Sequence, residues 1–111
     1  ARILLANKLL TANPKQAIPH YEYIVASTSN SLVAFNNLAW ILLQEKQLVD
    51  AEGYINKAME IAPENINVLD TAASIAIENN NLPLAKELLQ KANKLNPDNQ
   101  SIKNKLDSLN I

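Results

Sequence analysis

Residues Leu38–Pro63, LAWILLQEKQLVDAEGYINKAMEIAP, decide how this chain is read. The stretch reads as two helices folded back on each other. Its small residues return 34 positions later: Ala39 as Ala73, Ala51 as Ala85, Ala58 as Ala92 and Pro63 as Pro97. A fixed period of that length belongs to stacked helical units, each covering an apolar face that its neighbour leaves bare.

Working outward, apolar residues keep helical spacing almost everywhere. Before the quoted stretch, residues 2–12 give Ile3, Leu4, Leu5, Ala6, Leu9 and Leu10 on one face. Asn13-Pro14 marks a break and a new start, with Asn as cap and Pro at the first helical position. That second helix runs to about Ala26. Pro19 inside it predicts a kink, or a helix that starts properly only near Pro19. Ser27 to Ser31 reads as a turn. A helix from about Leu32 to Gln44 presents Phe35, Leu38, Ala39 and Leu42. Another from about Val49 to Ile61 presents Ala51, Ile55, Ala58 and Met59, and Ala62-Pro63 stops it. A helix over about Asn67–Glu78 presents Leu69, Ala72, Ala73 and Ala76, and Asn79-Asn80-Asn81 closes it. Pro83 opens the next, which presents Ala85, Leu88, Leu89 and Ala92. The last, about Gln100–Leu109, carries Ile102, Leu106 and Leu109. Seven helices in all predict an all-α chain.

The small residues have a packing role. Ala39 and Ala51 belong to the two helices of one pair and let their backbones approach to the short end of the usual range. Leu42 and Ile55 fill the spaces above and below, and Ala58 leaves room for the first helix of the next pair. The first pair keeps the register through Ala17 and Tyr21, which lie 34 before Ala51 and Ile55. Leu5 and Ala6 lie 33 before Leu38 and Ala39, so one loop there differs by a residue.

Composition agrees and excludes. The chain has 111 residues, a net charge of −1, no cysteine and a single glycine. Low Gly with abundant Ala and Leu favours helix. Lack of Cys removes disulfide and thiolate-metal frameworks. Near-neutral charge argues against nucleic acid as partner. No apolar run approaches the roughly 20 residues of a membrane span, so this segment does not insert. Charge is mildly uneven: residues 1–30 sum to +2 through Arg2, Lys8, Lys15 and Glu22. Residues 31–65 sum to −3 through Lys46, Lys57, Glu45, Asp50, Glu52, Glu60 and Glu64. The opening Ala-Arg-Ile-Leu-Leu carries no initiator Met and no leader pattern. It reads as a piece of a longer protein, whose compartment, cytoplasmic or periplasmic, it does not reveal.

The pattern Phe35-x2-Leu38-Ala39-x2-Leu42-x8-Ala51-x3-Ile55-x2-Ala58-x4-Pro63 resembles the tetratricopeptide repeat. It returns as Leu69-x2-Ala72-Ala73-x2-Ala76-x8-Ala85-x3-Leu89-x2-Ala92-x4-Pro97, with Ala39 and Ala73 where the family usually has Gly. The resemblance covers nearly the whole chain as one domain. An incomplete repeat spans 1–30, full repeats span 32–65 and 66–99, and a capping helix spans 100–111. Asn36-Asn37-Leu38-Ala39-Trp40 and Val68-Leu69-Asp70-Thr71-Ala72 further resemble bacterial members of the exopolysaccharide and PEP-CTERM export type.

The resemblance implies a right-handed α-solenoid whose concave groove, lined by the first helix of each pair, binds a peptide or helix of another protein. Its groove residues here would be Asn7, Asn36, Asn37, Trp40, Gln44, Asp70, Ser74 and Glu78. Chaperone-binding members hold a C-terminal carboxylate with Lys, Arg and Asn. Asn7 and Asn37 sit near matching positions, but the cationic positions fall near Ile3, Asn67 and Thr71, and without cations the charge-assisted bonds of that site are missing. A chaperone-type clamp is therefore rejected.

Other residues read as structural. His20 is the only histidine, too little for a metal site. No nucleophile-base set and no phosphate loop is visible, so no enzyme and no cofactor are expected. Asp70 and Glu78, two turns apart on one face, read as a solvated helix face. Tyr21, Tyr23 and Tyr54 read as packing between helices. Trp40 has two open roles: an interface anchor, or packing against Ser74 and the next helix. An alternative to the binding scaffold is a terminal segment that caps and shapes a longer solenoid. Such a segment could self-associate through the apolar face of Leu4, Leu5 and Leu9.

Overall fold

The computed structural model of the chain describes residues 12–27 and 31–109. Six helices follow one another there: α1 (Pro14–Ser27), α2 (Leu32–Gln44), α3 (Leu48–Ile61), α4 (Ile66–Glu78), α5 (Leu82–Leu95) and α6 (Gln100–Leu109). Each packs against the next, giving an all-helical solenoid of antiparallel pairs. Predicted bounds agree closely with these. The helix expected over residues 2–12, with Asn7 and the apolar face of Leu4, Leu5 and Leu9, lies outside the described residues.

Burial follows the 34-residue register. Ala17, Ala51 and Ala85 have no exposed surface, nor do Ala39 and Ala73, or Ala58 and Ala92. The larger residues between them share the register: Tyr21, Ile55 and Leu89 are all buried. Two further columns were not singled out from the sequence. Ala34, Val68 and Ile102 form one, and Ile41 and Ile75 the other, all buried. They reflect the packing of α2 and α4, each of which meets three other helices, whereas α3 and α5 meet two. Each of those helices buries seven residues, whereas α3 and α5 bury three apiece. Phe35 and Tyr54 close the α2–α3 contact, ring centroids 6.2 Å apart.

The turns repeat too. After α2, Lys46 adopts φ 62°, and after α4, Asn80 adopts φ 59°. At the first, Gln47 N–H bonds the Leu42 carbonyl at 2.9 Å and Lys46 N–H bonds that of Leu43 at 3.1 Å. At the second, Asn81 N–H bonds the Ala76 carbonyl at 2.8 Å and Asn80 N–H bonds that of Ile77 at 3.0 Å. This pair of bonds is the Schellman closure of a helix C-terminus, usually made by glycine. The three asparagines after α4 divide the work: Asn79 ends the helix, Asn80 takes the left-handed position, and Asn81 caps α5 by accepting from Leu84 N–H at 3.4 Å. Asn65 and Asn99 cap α4 and α6 in the same way, accepting from Val68 N–H at 3.2 Å and Ile102 N–H at 3.1 Å. Ala62 and Asn96, each before a proline, share φ near −140° and end α3 and α5 alike.

Two expectations need correction. α1 begins at Pro14 and carries Pro19 inside it, so the helix does not wait for the second proline. Pro19 lies in the early turns of α1 and has no N–H to offer the Lys15 carbonyl four residues before it. Tyr23 is 54 % exposed, unlike buried Tyr21, because two residues along a helix turn the side chain to the opposite face. Met59 is half-buried and packs against the core, as expected.

Tyr21 also holds a buried polar contact: Asn37 Nδ2 donates to its hydroxyl at 3.1 Å. Burial raises the Tyr21 phenol above its usual range, and the bond from Asn37 is a smaller opposing effect. Burial also raises Tyr54, with the Glu22 and Asp50 carboxylates adding to it.

Three outcomes are expected. Lys46→Gly relieves left-handed strain worth about 1 kcal/mol but forfeits the exposed pair with Glu78, so the urea midpoint rises only slightly at unchanged slope, and Glu78→Gln beforehand enlarges the gain. Ala85→Leu overfills the α4–α5 contact and lowers stability by about 1–3 kcal/mol in the same assay. The third concerns pH. Both tyrosines ionise later in the folded chain than in the unfolded one, where the pKa is about 10. The stability this contributes is whole below that value and is lost as pH rises through the higher folded values. Melting temperature therefore declines above about pH 10. Tyr21→Phe makes that decline shallower and, with the Asn37 bond gone, costs about 1 kcal/mol at neutral pH.

Candidate functional site

Helices α2 and α4 pack on each other, whereas α1 and α3, or α3 and α5, do not in the same way. Open clefts separate those outer helices instead. One of about 450 Å³ lies between α1 and α3, lined by Val25, Phe35, Tyr54 and Ile61. One of about 340 Å³ lies between α3 and α5, lined by Ile55, Met59, Ile75 and Leu88. Inner helices that touch and outer helices that splay give a curved stack. The candidate binding surface is the outward stripe of α2 and α4.

On α2 that stripe is Val33, Asn36, Asn37, Trp40 and Gln44. Val33 is 47 % exposed and Trp40 41 %, Gln44 is exposed, and the two asparagines are half-buried. On α4 it is Asn67, Asp70, Ser74 and Glu78, with Asn67 and Glu78 exposed and the other two half-buried. Seven of the eight residues expected to line the groove thus fall on two helices that touch. The eighth, Asn7, lies outside the described residues.

Their chemistry differs from the sequence reading in places. Asp70 and Glu78 are not merely solvated. Lys105 Nζ of α6 donates to Asp70 Oδ1, and Lys46 Nζ to Glu78 Oε2 at 3.1 Å. A third pair, Lys15 with Glu45 at 3.2 Å, joins α1 to the end of α2. Each ion pair spans successive units, and exposed pairs of this kind contribute about 1 kcal/mol or less. Asn37 turns its amide to Tyr21, so part of its hydrogen bonding belongs to the packing. Asn36 Oδ1 is buried with no hydrogen-bond partner among the described residues. Buried Thr71 donates its hydroxyl to the Asn67 carbonyl at 3.0 Å, and neither residue brings a cation to the groove.

Val33, Lys46 and Lys105 were missed as groove residues. Val33 had a legible signal, lying two helical turns before Trp40. Lys105 lies 34 residues after Thr71, on a helix read only as a cap. His20 is half-buried on α1. Among the described residues no three His, Cys, Asp or Glu side chains gather in a metal-holding group, and no helix is long and apolar enough to cross a membrane.

No curated protein sequence matches the chain. Solved structures do, at the level of fold. The second TPR domain of human RPAP3, in complex with the HSP70 peptide SGPTIEEVD, superposes with a TM-score of 0.90 at 16 % identity, over 100 % of this chain and 93 % of that one. The Arabidopsis OM64 TPR domain gives 0.88 at 20 % identity, over 94 % and 87 %. YrrB, a TPR protein with an unusual peptide-binding site, gives 0.84 at 23 % identity, over 93 % and 54 %. Residues 42–106 match the tetratricopeptide repeat family model. With a 34-residue register, small residues buried at each recurrence, and paired helices in a curved stack, the chain belongs to the tetratricopeptide repeat family.

Proposed function

We propose that this chain is a non-catalytic protein-interaction scaffold whose curved inner surface holds a peptide or helix of a partner protein. One observation carries the reading. An exposed tryptophan and valine, Trp40 and Val33, stand among Asn36, Asn37 and Gln44 on a helix that packs against α4. A large aromatic ring ringed by amides is the usual make-up of an interface anchor. The peptide held by the RPAP3 domain supports the same use of the fold. That peptide ends in acidic residues, and the uncharged Asn67 and Thr71 argue that this chain takes a different ligand. The phrases around Trp40 and Asp70 that resemble exopolysaccharide and PEP-CTERM export proteins suggest a bacterial export assembly as the setting.

A second reading has its own support. α6 buries Ile102 against the stack and exposes Lys103, Asn104 and Asp107 on its other side. A wet outer face suits the last helix of a solenoid. On that reading the segment shapes and caps a longer stack, and it self-associates through its N-terminal face. A strict monomer at high concentration in sedimentation velocity overturns the self-association.

Trp40→Ala is the test of the groove. It is expected to lower partner capture at least about tenfold, with unchanged helical circular dichroism. Equal capture removes the groove as the site. Asn37→Ala is the poorer probe, since it also breaks the bond to Tyr21 and lowers stability.

A further inference from the structure

We infer that the pocket between α3 and α5 is a second binding site, and that it takes one small, neutral aromatic molecule of phenol to indole size. It shares no residue with the α2–α4 stripe and does not rest on the groove reading. The repeat itself shows how the pocket arises. Ile55, Ala72, Ala76 and Leu88 form much of its lining. Positions 34 residues earlier hold Tyr21, Leu38, Leu42 and Tyr54. In the first unit the first three are buried together, and half-buried Tyr54 packs against them. In the second unit all four are smaller. Two isobutyl groups have become methyls, and two phenol rings have become aliphatic branches. The helices do not close in to compensate, because Ala58, Ala73 and Ala85 hold their spacing at fully buried contacts. About 340 Å³ is left in a fold whose interior packs densely elsewhere. Two positions change the other way. Val25 becomes Met59, a flexible thioether that packs well against a ring edge. Asp50 becomes Leu84, which makes the mouth apolar.

The chemistry of the occupant follows from the same comparison. In the first unit this place is filled by phenol rings and isobutyl groups of the chain itself. The volume lies at the small end of small-molecule sites, roughly 300–1,000 Å³. Ile55, Ala72 and Ala76 make a buried apolar floor, where a charged group loses its water and gains no partner. No Lys, Arg or His lines the pocket, and its one carboxylate stands at the exposed rim. There Glu52 Oε2 accepts from Asn79 Nδ2 at 3.2 Å. That bond ties α3 to the end of α4 and narrows the entry, which favours a free molecule over a side chain carried on a partner's backbone. The exposed amide of Asn56, also on the lining, suits a hydroxyl or N–H on the ring.

Met59 is the sole methionine, so a carbon-13 label on its ε-methyl gives one NMR signal at the pocket wall. Phenol, p-cresol and indole are expected to shift that signal saturably. Benzoate and benzylamine bind at least about tenfold more weakly, since each must bury a charge. Ala76→Leu and, separately, Leu88→Tyr restore the bulk that Leu42 and Tyr54 supply in the first unit. Each is expected to lower p-cresol affinity at least about tenfold with unchanged helical circular dichroism. Where Ala76→Leu unfolds, the half-buried Leu88→Tyr carries the test. Trp40→Ala leaves p-cresol affinity unchanged, so the pocket stands or falls apart from the groove. No saturable shift, equal binding of the charged rings, or full affinity in a folded, filled variant overturns the site. A shift given only by a peptide bearing one phenylalanine overturns the free molecule and makes the pocket a docking point for a partner's side chain.

Discussion

The close approach of paired helices at fully buried alanines governs everything else in this structure. Ala39 and Ala51 in one unit, and Ala73 and Ala85 in the next, have no exposed surface, and Ala58 and Ala92 have none where successive units meet. A methyl is the largest group these contacts admit, because densely packed interiors yield little to added volume. The larger residues are placed by that spacing. Tyr21, Ile55 and Leu89 sit at one recurring position and fill the space the alanines leave. The curvature follows from the same contacts, since α2 and α4 meet each other while the outer helices are held apart by clefts. The inner surface is therefore a by-product of where methyl groups replace larger side chains.

Much of this was legible because alanine at fixed intervals has few other meanings in a helical sequence. Helix ends were legible for a related reason: proline excludes helix from the residue before it, and asparagine offers its own side chain to unpaired N–H groups. The prediction failed where the answer depends on which side of a helix a residue takes. Tyr21 and Tyr23 look alike in sequence, yet one is buried and the other more than half exposed. Lys46 gave no sign that it would take the left-handed turn position. Its place there is set by its twin, Asn80, and by the helix ends on either side.

For the groove, residue types could be read along one helix but not across helices. Counting turns puts Asn36, Trp40 and Gln44 on one stripe of α2, and Asp70, Ser74 and Glu78 on one stripe of α4, although Asn36, Asp70 and Ser74 are half-buried there. Their partners could not be counted, since Lys105 reaches Asp70 across 35 residues and Lys46 reaches Glu78 across 32. Asn37 shows the same gap. Periodicity put it on the groove side, and the hydroxyl of a buried tyrosine 16 residues earlier draws its amide inward.

The helix-to-next-helix contacts have a kinetic side. With few contacts between distant parts of the sequence, little chain must be ordered before packing begins to repay the entropy. Folding can nucleate in any pair and spread to the next. The two buried clusters are unequal: the larger runs from Ala17 to Ile75, and the smaller, around Leu69, Leu89 and Ile102, joins it through half-buried Leu88. The smaller cluster holds α6 through Ile102, Leu106 and Leu109, and the Lys105–Asp70 pair ties the same helix to α4. The charge state of the groove is coupled in this way to the local stability of the last helix.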